Sequence, residues 1–482
     1  MTTIRRLLSP GDYPLVWQVH DGSSVSGLVT LAGGEAVSGV AYDLPAKSVP
    51  TGHDGWIDPS WTVWEPSVEP YGVARGQLRN NLDVALIDAS VSHELPGQSL
   101  LQADLAVCGA NLRENTDLLF DEITFQVTGL TALSGVTPLK YFEHPASLRG
   151  GERPPEFRAT WNDEADHSWP AGAADTVRMH YLCTFSHPQM YTMSVTASPA
   201  VTVSGPARPL RQWLSEYVHP VAELASFATG RPQAITWAEV TFAGGHGPCV
   251  VFGAALTQQN EVAGRPHPSE LPLVHCGPDG APLPRLLAGW EALKTEHSTF
   301  VDYFVSISTA ALPVTSRFIA LIAALEGFHS KKYGIGATSP TEFKKQKKGV
   351  FGRLREAAGV SDEDYQWLRA EGAYFGAYAL QERLRFLAGT LPEPVRARVN
   401  SAVDPIPPLL QGIVDQPEDI WQVMGKARNN LAHGNNTRQD NAQLAALTRL
   451  GHTVAVAFVL ESFGVAAERL AVAIDRGDRS VL

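Results

Sequence analysis

The sequence predicts a multidomain α+β chain, with an N-terminal β-sandwich-like region followed by an all-α helical bundle. Three observations carry this. At 482 residues the chain is too long for one hydrophobic core. Up to about residue 205, segments such as SVSGLVTLAG, LDVALIDASV, DEITFQVTGL and VRMHYLCTFS alternate apolar and polar residues between turn residues, as strands of a sandwich or barrel do. From about residue 285 the apolar spacing changes to that of helices.

Taken in order, residues 1–205 read as a β-rich domain. Within them the Pro/Gly-rich stretch 144–172 reads as a long loop. Residues 206–300 read as a small α+β segment and linker helix belonging to the N-terminal region: RPLRQWLSEYVHPVAELASFATG is helical, and ITWAEVTFAG and PCVVFGAAL form a strand pair joined through GGHG. Residues 301–482 read as a helical domain. Its expected helices include SRFIALIAALEGFHSKKYG and SDEDYQWLRAEGAYFGAYALQERLRFLA, then EDIWQVMGKARNNLAH and NAQLAALTRLGHTVAVAFVLESFG. The segment RLLAGWEALKTEHSTFVDYFVSIS reads as one helix leading into this domain.

Composition narrows the function. A net charge of −12 argues against a protein that coats nucleic acid without specificity, because phosphate neutralisation needs a basic face. The four cysteines are scattered, with no CxxC pair, which fits a reducing compartment better than a disulfide framework. The first residues lack the apolar core of a signal peptide, and no apolar run approaches the roughly 20 residues of a membrane span. A cytoplasmic protein with no membrane partner is expected. GGHG at 244–247 is a hairpin turn, not a phosphate loop, and His93, His144, His180 and His187 lack metal-ligand spacing. The aromatic residues of 56–71 read as core before they read as a sugar- or base-stacking surface.

The segment that carries chemistry is KARNNLAHGNN, residues 426–436, in which Arg428 and His433 are spaced R-x4-H. About one such pair is expected by chance in a chain of this composition, so its setting matters more than its spacing. The pair closes an apolar-faced helix, Gly434 can end that helix, and another long helix follows. R-N-x-x-x-H between the last long helices of an all-α domain resembles the HEPN superfamily, with Asn429 as the polar residue after the arginine. ALEGFHSKKYG, residues 324–334, resembles the first long helix of Apea-like HEPN domains, and VSGLVTL near the start resembles the ApeA N-terminal domain of anti-phage proteins.

The resemblance implies a metal-independent endoribonuclease without cofactor. RNA supplies its own nucleophile, the 2′-OH. His433 would act as general acid or base, and Arg428 would stabilise the phosphate with its permanent planar charge. Asn429 and Glu326 complete the candidate site, with Glu326 either fixing a tautomer of His433 or orienting Arg428. His329, three residues on, reads as a surface histidine. Lys331, Lys332, Lys344, Lys345, Lys347 and Lys348, with Arg353 and Arg355, face only Glu342 as counter-charge, and form a candidate RNA-backbone contact or else a solvated loop. Side chains five apart on a helix diverge by about 140°, so convergence requires either unwinding near Gly434 or a homodimer sharing the cleft. The resemblance also implies that residues 1–205 are a sensor or regulatory domain, with a phage-derived trigger as the expected partner besides RNA. The alternatives are a non-catalytic HEPN nucleotide- or protein-binding dimerisation module with a ligand-binding β-sandwich, and a carbohydrate- or peptide-binding sandwich with a helical tail.

Overall fold

The computed structural model describes residues 8–18, 23–42, 68–95, 98–142, 159–189, 192–243, 245, 247–256, 272–277, 280–309, 312–334, 340–356, 360–371, 378–403, 419–433 and 441–477. The chain divides into two compact units, Met1–Glu270 with His275–Leu287, and Leu271–Val274 with Ala288–Leu482.

The first unit starts with β1 (Gly11–Gln18), β2 (Ser24–Leu31), β3 (Val37–Tyr42), β4 (Val68–Leu78), β5 (Asp83–Leu95) and β6 (Gln98–Ala103). These pair antiparallel in the order β5-β4-β1-β2-β3-β6, and β6 pairs back onto β5, so the six strands close into a barrel. A barrel this narrow must be filled by side chains. Trp17 is the largest side chain of this core: it is 2% exposed, and its indole N–H donates to the Val40 carbonyl at 3.0 Å. The VSGLVTL pattern supplies its space. A Cβ on Gly27 would lie 2.1 Å from the Val40 oxygen and 2.5 Å from Trp17 Nε1, so only glycine fits there.

The sheet continues outward from β5 through β7 (Leu105–Gly109), β8 (Leu119–Val127), α1 (Leu130–Ser134), β9 (Leu139–Phe142), β10 (Ala159–Trp161), β11 (His167–Ala171), β12 (Asp175–Gln189) and β13 (Thr192–Pro209). It is completed by α2 (Leu210–Trp213), α3 (His219–Thr229), β14 (Ile235–Thr241) and β15 (Cys249–Gly253). The spatial order is β5-β7-β15-β14-β8-β13-β12-β11, while β9 and β10 form a separate pair. β5 belongs to both parts. Asp83–Ile87 pair with β7, and Ser90–Leu95 pair with β6. The corner between them is Asp88, held at φ 54° and hydrogen-bonded to Arg211, which also reaches Asp104 at 2.9 Å. The hairpin expected through GGHG is seen as the β14–β15 pair, with Val240 opposite Cys249. Part of the expected 144–172 loop is instead β10 and β11, whose Trp161 and Trp169 alternate with polar neighbours. The aromatic stretch 56–67 lies outside the described residues.

One face of the outer sheet carries Ile123, Phe125, Val201 and Val203, all fully buried, and α1 to α3 pack against β8 and β13. Residues Leu214–Val218, between α2 and α3, widen into a π turn. Pro220 explains it: proline has no N–H for the carbonyl one turn back, and its ring needs room there.

The second unit is helical: α4 (Leu283–Glu296, starting in the first unit's range), α5 (Ser298–Thr309), α6 (Val314–Tyr333), α7 (Pro340–Glu356) and α8 (Asp362–Glu371). It continues with α9 (Leu380–Thr390), α10 (Glu393–Val403), α11 (Ile420–Ala432), α12 (Asn441–Ser462) and α13 (Ala467–Gly477). Two expected single helices are each two. The first breaks at His297, whose carbonyl accepts the Phe300 and Val301 N–H groups and starts α5. The second divides into α8 and α9, with Ala379 N–H bonded to the Glu382 carboxylate at the start of α9. The basic run, weighed as a loop, is helix α7 from Pro340 onward.

Helix α6 is the hub, packed against α5, α9, α11 and α12. Helix α12 qualifies the sequence reading on apolar length: by length and composition it could cross a membrane, but 72% of its most apolar window is buried in the bundle. It is a core helix, apolar on all sides because neighbours cover all sides.

Candidate functional site

Helix α11 presents the R-x4-H pair. Asp419 caps its start, accepting the Trp421 N–H at 3.2 Å through Oδ1, while Oδ2 pairs with Arg385 of α9 at 2.5 Å. Ile420, Trp421, Val423, Met424 and Ala427 form its buried face. Gly425 faces Gln381 of α9, where an added Cβ would make only ordinary contact, 3.4 Å from Gln381 Oε1. Arg428 falls at the border of that face, one turn beyond Met424, and is partly buried. His433 is the first residue past the helix, exposed, with its backbone N–H on the Asn429 carbonyl at 3.0 Å. Gly434, expected to end the helix, lies outside the described residues.

The structure brings Arg428, Asn429 and Glu326 together. Arg428 Nη1 donates to Asn429 Oδ1 at 3.2 Å. Its Nη2 lies 3.9 Å from Glu326 Oε2, an ion pair too long for a hydrogen bond. Of the two partners weighed for Glu326, it is Arg428 that its carboxylate faces. Among the described residues, no polar contact joins Arg428 or Glu326 to His433.

A fourth residue completes the cluster and was not foreseen. Arg383 of α9 donates through Nη1 to Glu326 Oε1 at 3.1 Å and to Ser330 Oγ at 3.0 Å, and through Nε to the Tyr378 carbonyl at 3.0 Å. Its side chain is 10% exposed, against 38% for Arg428. The signal was in the sequence. Leu380, Arg383, Leu384 and Leu387 share one helical stripe, and a cation inside an apolar stripe requires a buried partner.

His329 corrects an expectation. It is not on the surface but 0% exposed, with rings of Tyr333, Tyr378 and Phe386 at 5.6, 5.7 and 5.3 Å. The hub helix is covered on most sides, so its histidine is enclosed. Among the described residues neither ring nitrogen has a hydrogen-bond partner, and burial, followed by the Arg383 charge, lowers its pKa and favours the neutral ring.

The basic residues divide between two helices. Lys331 and Lys332 end α6; Lys345, Lys347 and Lys348, with Arg353 and Arg355, lie on α7. Lys332 is already engaged, 3.8 Å from Glu461 and over the rings of Phe328, Tyr333 and Phe458. Lys347 lies over Phe351 and Arg355 over Tyr365, whereas Lys345, Lys348 and Arg353 are exposed. The side chain of Lys344 lies outside the described residues.

In the first unit, a cleft of about 480 Å³ on the barrel wall is lined by Val16, Leu28, Tyr42, Gln77 and Arg79, among others; the first three are exposed apolar residues. The cysteines offer no nucleophile. Cys108, Cys183, Cys249 and Cys276 are free and buried, and burial pushes the Cys249 and Cys276 thiols up to about 12.

Comparison with known families gives two matches. Residues 58–276 match ApeA N-terminal domain 1, and residues 319–469 match Apea-like HEPN. No curated protein and no solved structure matches the chain. The second match spans α6 to α13 and therefore contains Glu326, Arg383, Arg428 and His433. With the strand-rich unit from β4 onward under one match and the helical unit from α6 to α13 under the other, the chain belongs to the ApeA-like proteins, an ApeA N-terminal domain followed by an Apea-like HEPN domain.

Proposed function

We propose that this chain is a metal-independent HEPN endoribonuclease of anti-phage defence, acting in the cytoplasm. The observation that carries the reading is Arg428, held by Glu326 and Asn429 at the open end of α11, with exposed His433 at the end of the same helix. In this reading the substrate's 2′-OH attacks the adjacent phosphate. His433 takes its proton, or gives one to the departing 5′-oxygen, and Arg428 stabilises the charge gathering on the phosphate. The products are a 2′,3′-cyclic phosphate and a 5′-OH, so no metal-bound water is required. Lys331, Lys345, Lys347 and Lys348 steer the RNA backbone, with Lys344 beside them; Lys332 contributes less, being paired with Glu461.

The divergence of Arg428 and His433 across five residues supports a homodimer in which each histidine faces the other protomer's arginine. The ApeA N-terminal domain is the sensor in this scheme, with the cleft beside Val16, Leu28 and Tyr42 as the place for a phage-derived trigger.

The test is digestion of RNA by wild type, Arg428→Ala and His433→Ala, with the product ends mapped. Wild type should cleave in EDTA and leave cyclic phosphate, and each variant should lose at least about a hundredfold in rate. Equal cleavage by His433→Ala and wild type would sink the proposal. One observation favours a second reading: among the described residues His433 has no group orienting its ring, as expected of a HEPN module that binds nucleotides or proteins without cutting. RNA binding with no cleavage by wild type would select it.

A further inference from the structure

We propose that Arg383 is a positioning residue for the Arg428 site, acting through Glu326 to keep the Arg428 charge available to a phosphate. This rests on the ribonuclease reading for its consequence, but not for its geometry.

Arg383 is permanently charged and buried, so its contacts are those a buried charge needs to be tolerated. Its Nε is fixed by the Tyr378 carbonyl at the entrance to α9, and its Nη1 by Ser330 Oγ and Glu326 Oε1. Glu326 is thereby held by one oxygen at 3.1 Å, and its other oxygen stands 3.9 Å from Arg428 Nη2. A carboxylate is planar, so fixing one oxygen and the chain fixes the direction of the other.

The charge balance gives this arrangement a purpose. One carboxylate faces two guanidinium groups, and the nearer, more buried one takes the tighter contact. Were Arg383 absent, Glu326 would be free to close on Arg428 in the paired-fork geometry that arginine and carboxylate favour. That pairing would neutralise Arg428 and occupy the donors a phosphate needs. Arg383 therefore competes for Glu326 and leaves Arg428 oriented yet uncommitted. The 38% exposure of Arg428 is consistent with a group facing an incoming ligand, and the 10% exposure of Arg383 with one that never touches it.

The experiment is a double-variant cycle on the full-length chain with two readouts. In RNA cleavage, Arg383→Met should lower kcat by about tenfold or more with KM changed less than about threefold. Arg383→Lys, which keeps the charge, should recover part of that loss. Glu326→Gln combined with Arg383→Met leaves no unpaired buried charge, and should cleave no more slowly than Arg383→Met alone. A merely structural role predicts the opposite, additive losses that track the folded fraction, and that result overturns the proposal, as does wild-type cleavage by Arg383→Met. Exposed Arg396→Ala serves as the arginine control. The second readout needs no activity. With 15N-arginine labelling, and Arg428 assigned from Arg428→Lys, the order of the Arg428 Nε–H should change in Arg383→Met and be restored toward wild type in the double variant. If wild type cleaves no RNA, the ribonuclease reading fails by itself, and unchanged Arg428 dynamics in Arg383→Met would then refute the positioning role separately.

Discussion

Glu239 on β14 offers a direct check on the strand-rich unit. It lies opposite Thr124 of β8 and Val250 of β15, away from the sheet edge. Burial first, and then the neighbouring Glu122, raise its pKa from the usual 4.5 to about 7. A raised carboxylate binds its proton more tightly in the folded chain than in the unfolded one. The unfolded chain ionises first as pH rises, so stability is lost between the unfolded and folded values, and none is lost below them. At about 1.4 kcal/mol per unit, the loss between pH 5 and pH 8 is on the order of 2–3 kcal/mol. The perturbation is Glu239→Gln, which keeps the shape and removes the titration. The assay is urea unfolding of wild type and variant at pH 5, 6, 7 and 8, fitted for the transition of the strand-rich unit. Wild type should lose stability relative to the variant by about that amount, most of it between pH 5 and 7. Parallel pH profiles would refute the reasoning, for they would mean that Glu239 is solvated in the folded chain.

Two further outcomes follow from packing and charge. Gly27→Ala drives a methyl into Trp17 and the Val40 carbonyl, and should destabilise the barrel by about 1–3 kcal/mol in the same urea assay, whereas Trp17→Ala should cost about 3–5 kcal/mol. His452 of α12, hydrogen-bonded to Tyr303 at 3.1 Å, is lowered to about 4 by burial and then by Arg317. Its folded value lies below the unfolded one, so stability is complete above about pH 6.5 and falls by about 2 kcal/mol at pH 5. Calorimetry should show the helical unit weakening with acid, and His452→Gln should remove that dependence.

Much of this protein could be read before any coordinates. Alternation marked the strands because a pleated strand sends successive side chains to opposite faces. The places of Arg428 and Asn429 near the end of α11, and of His433 at it, were legible because a helix end is set by residues close in sequence. Harder to read was whatever depended on packing between distant segments. Helix α7 was hidden by Gly349 and Gly352 among its lysines. His329 was misplaced because a surface role assumes one solvated face, and α6 has neighbours on four helices.

The sequence by itself determined the local order: strands first, helices after, and an arginine and histidine closing α11. Only the tertiary structure decided that β5 changes partner at Asp88 so that six strands close, and that Trp17 fills the space three distant strands leave. It alone decided that Glu326 and Arg383, 57 residues apart, meet beside Arg428. The physical reason is common to all three. Periodicity fixes which face of an element is apolar, but the pairing of a buried charge or the closure of a ring is settled by which faces meet, and that is set by contacts between segments far apart along the chain.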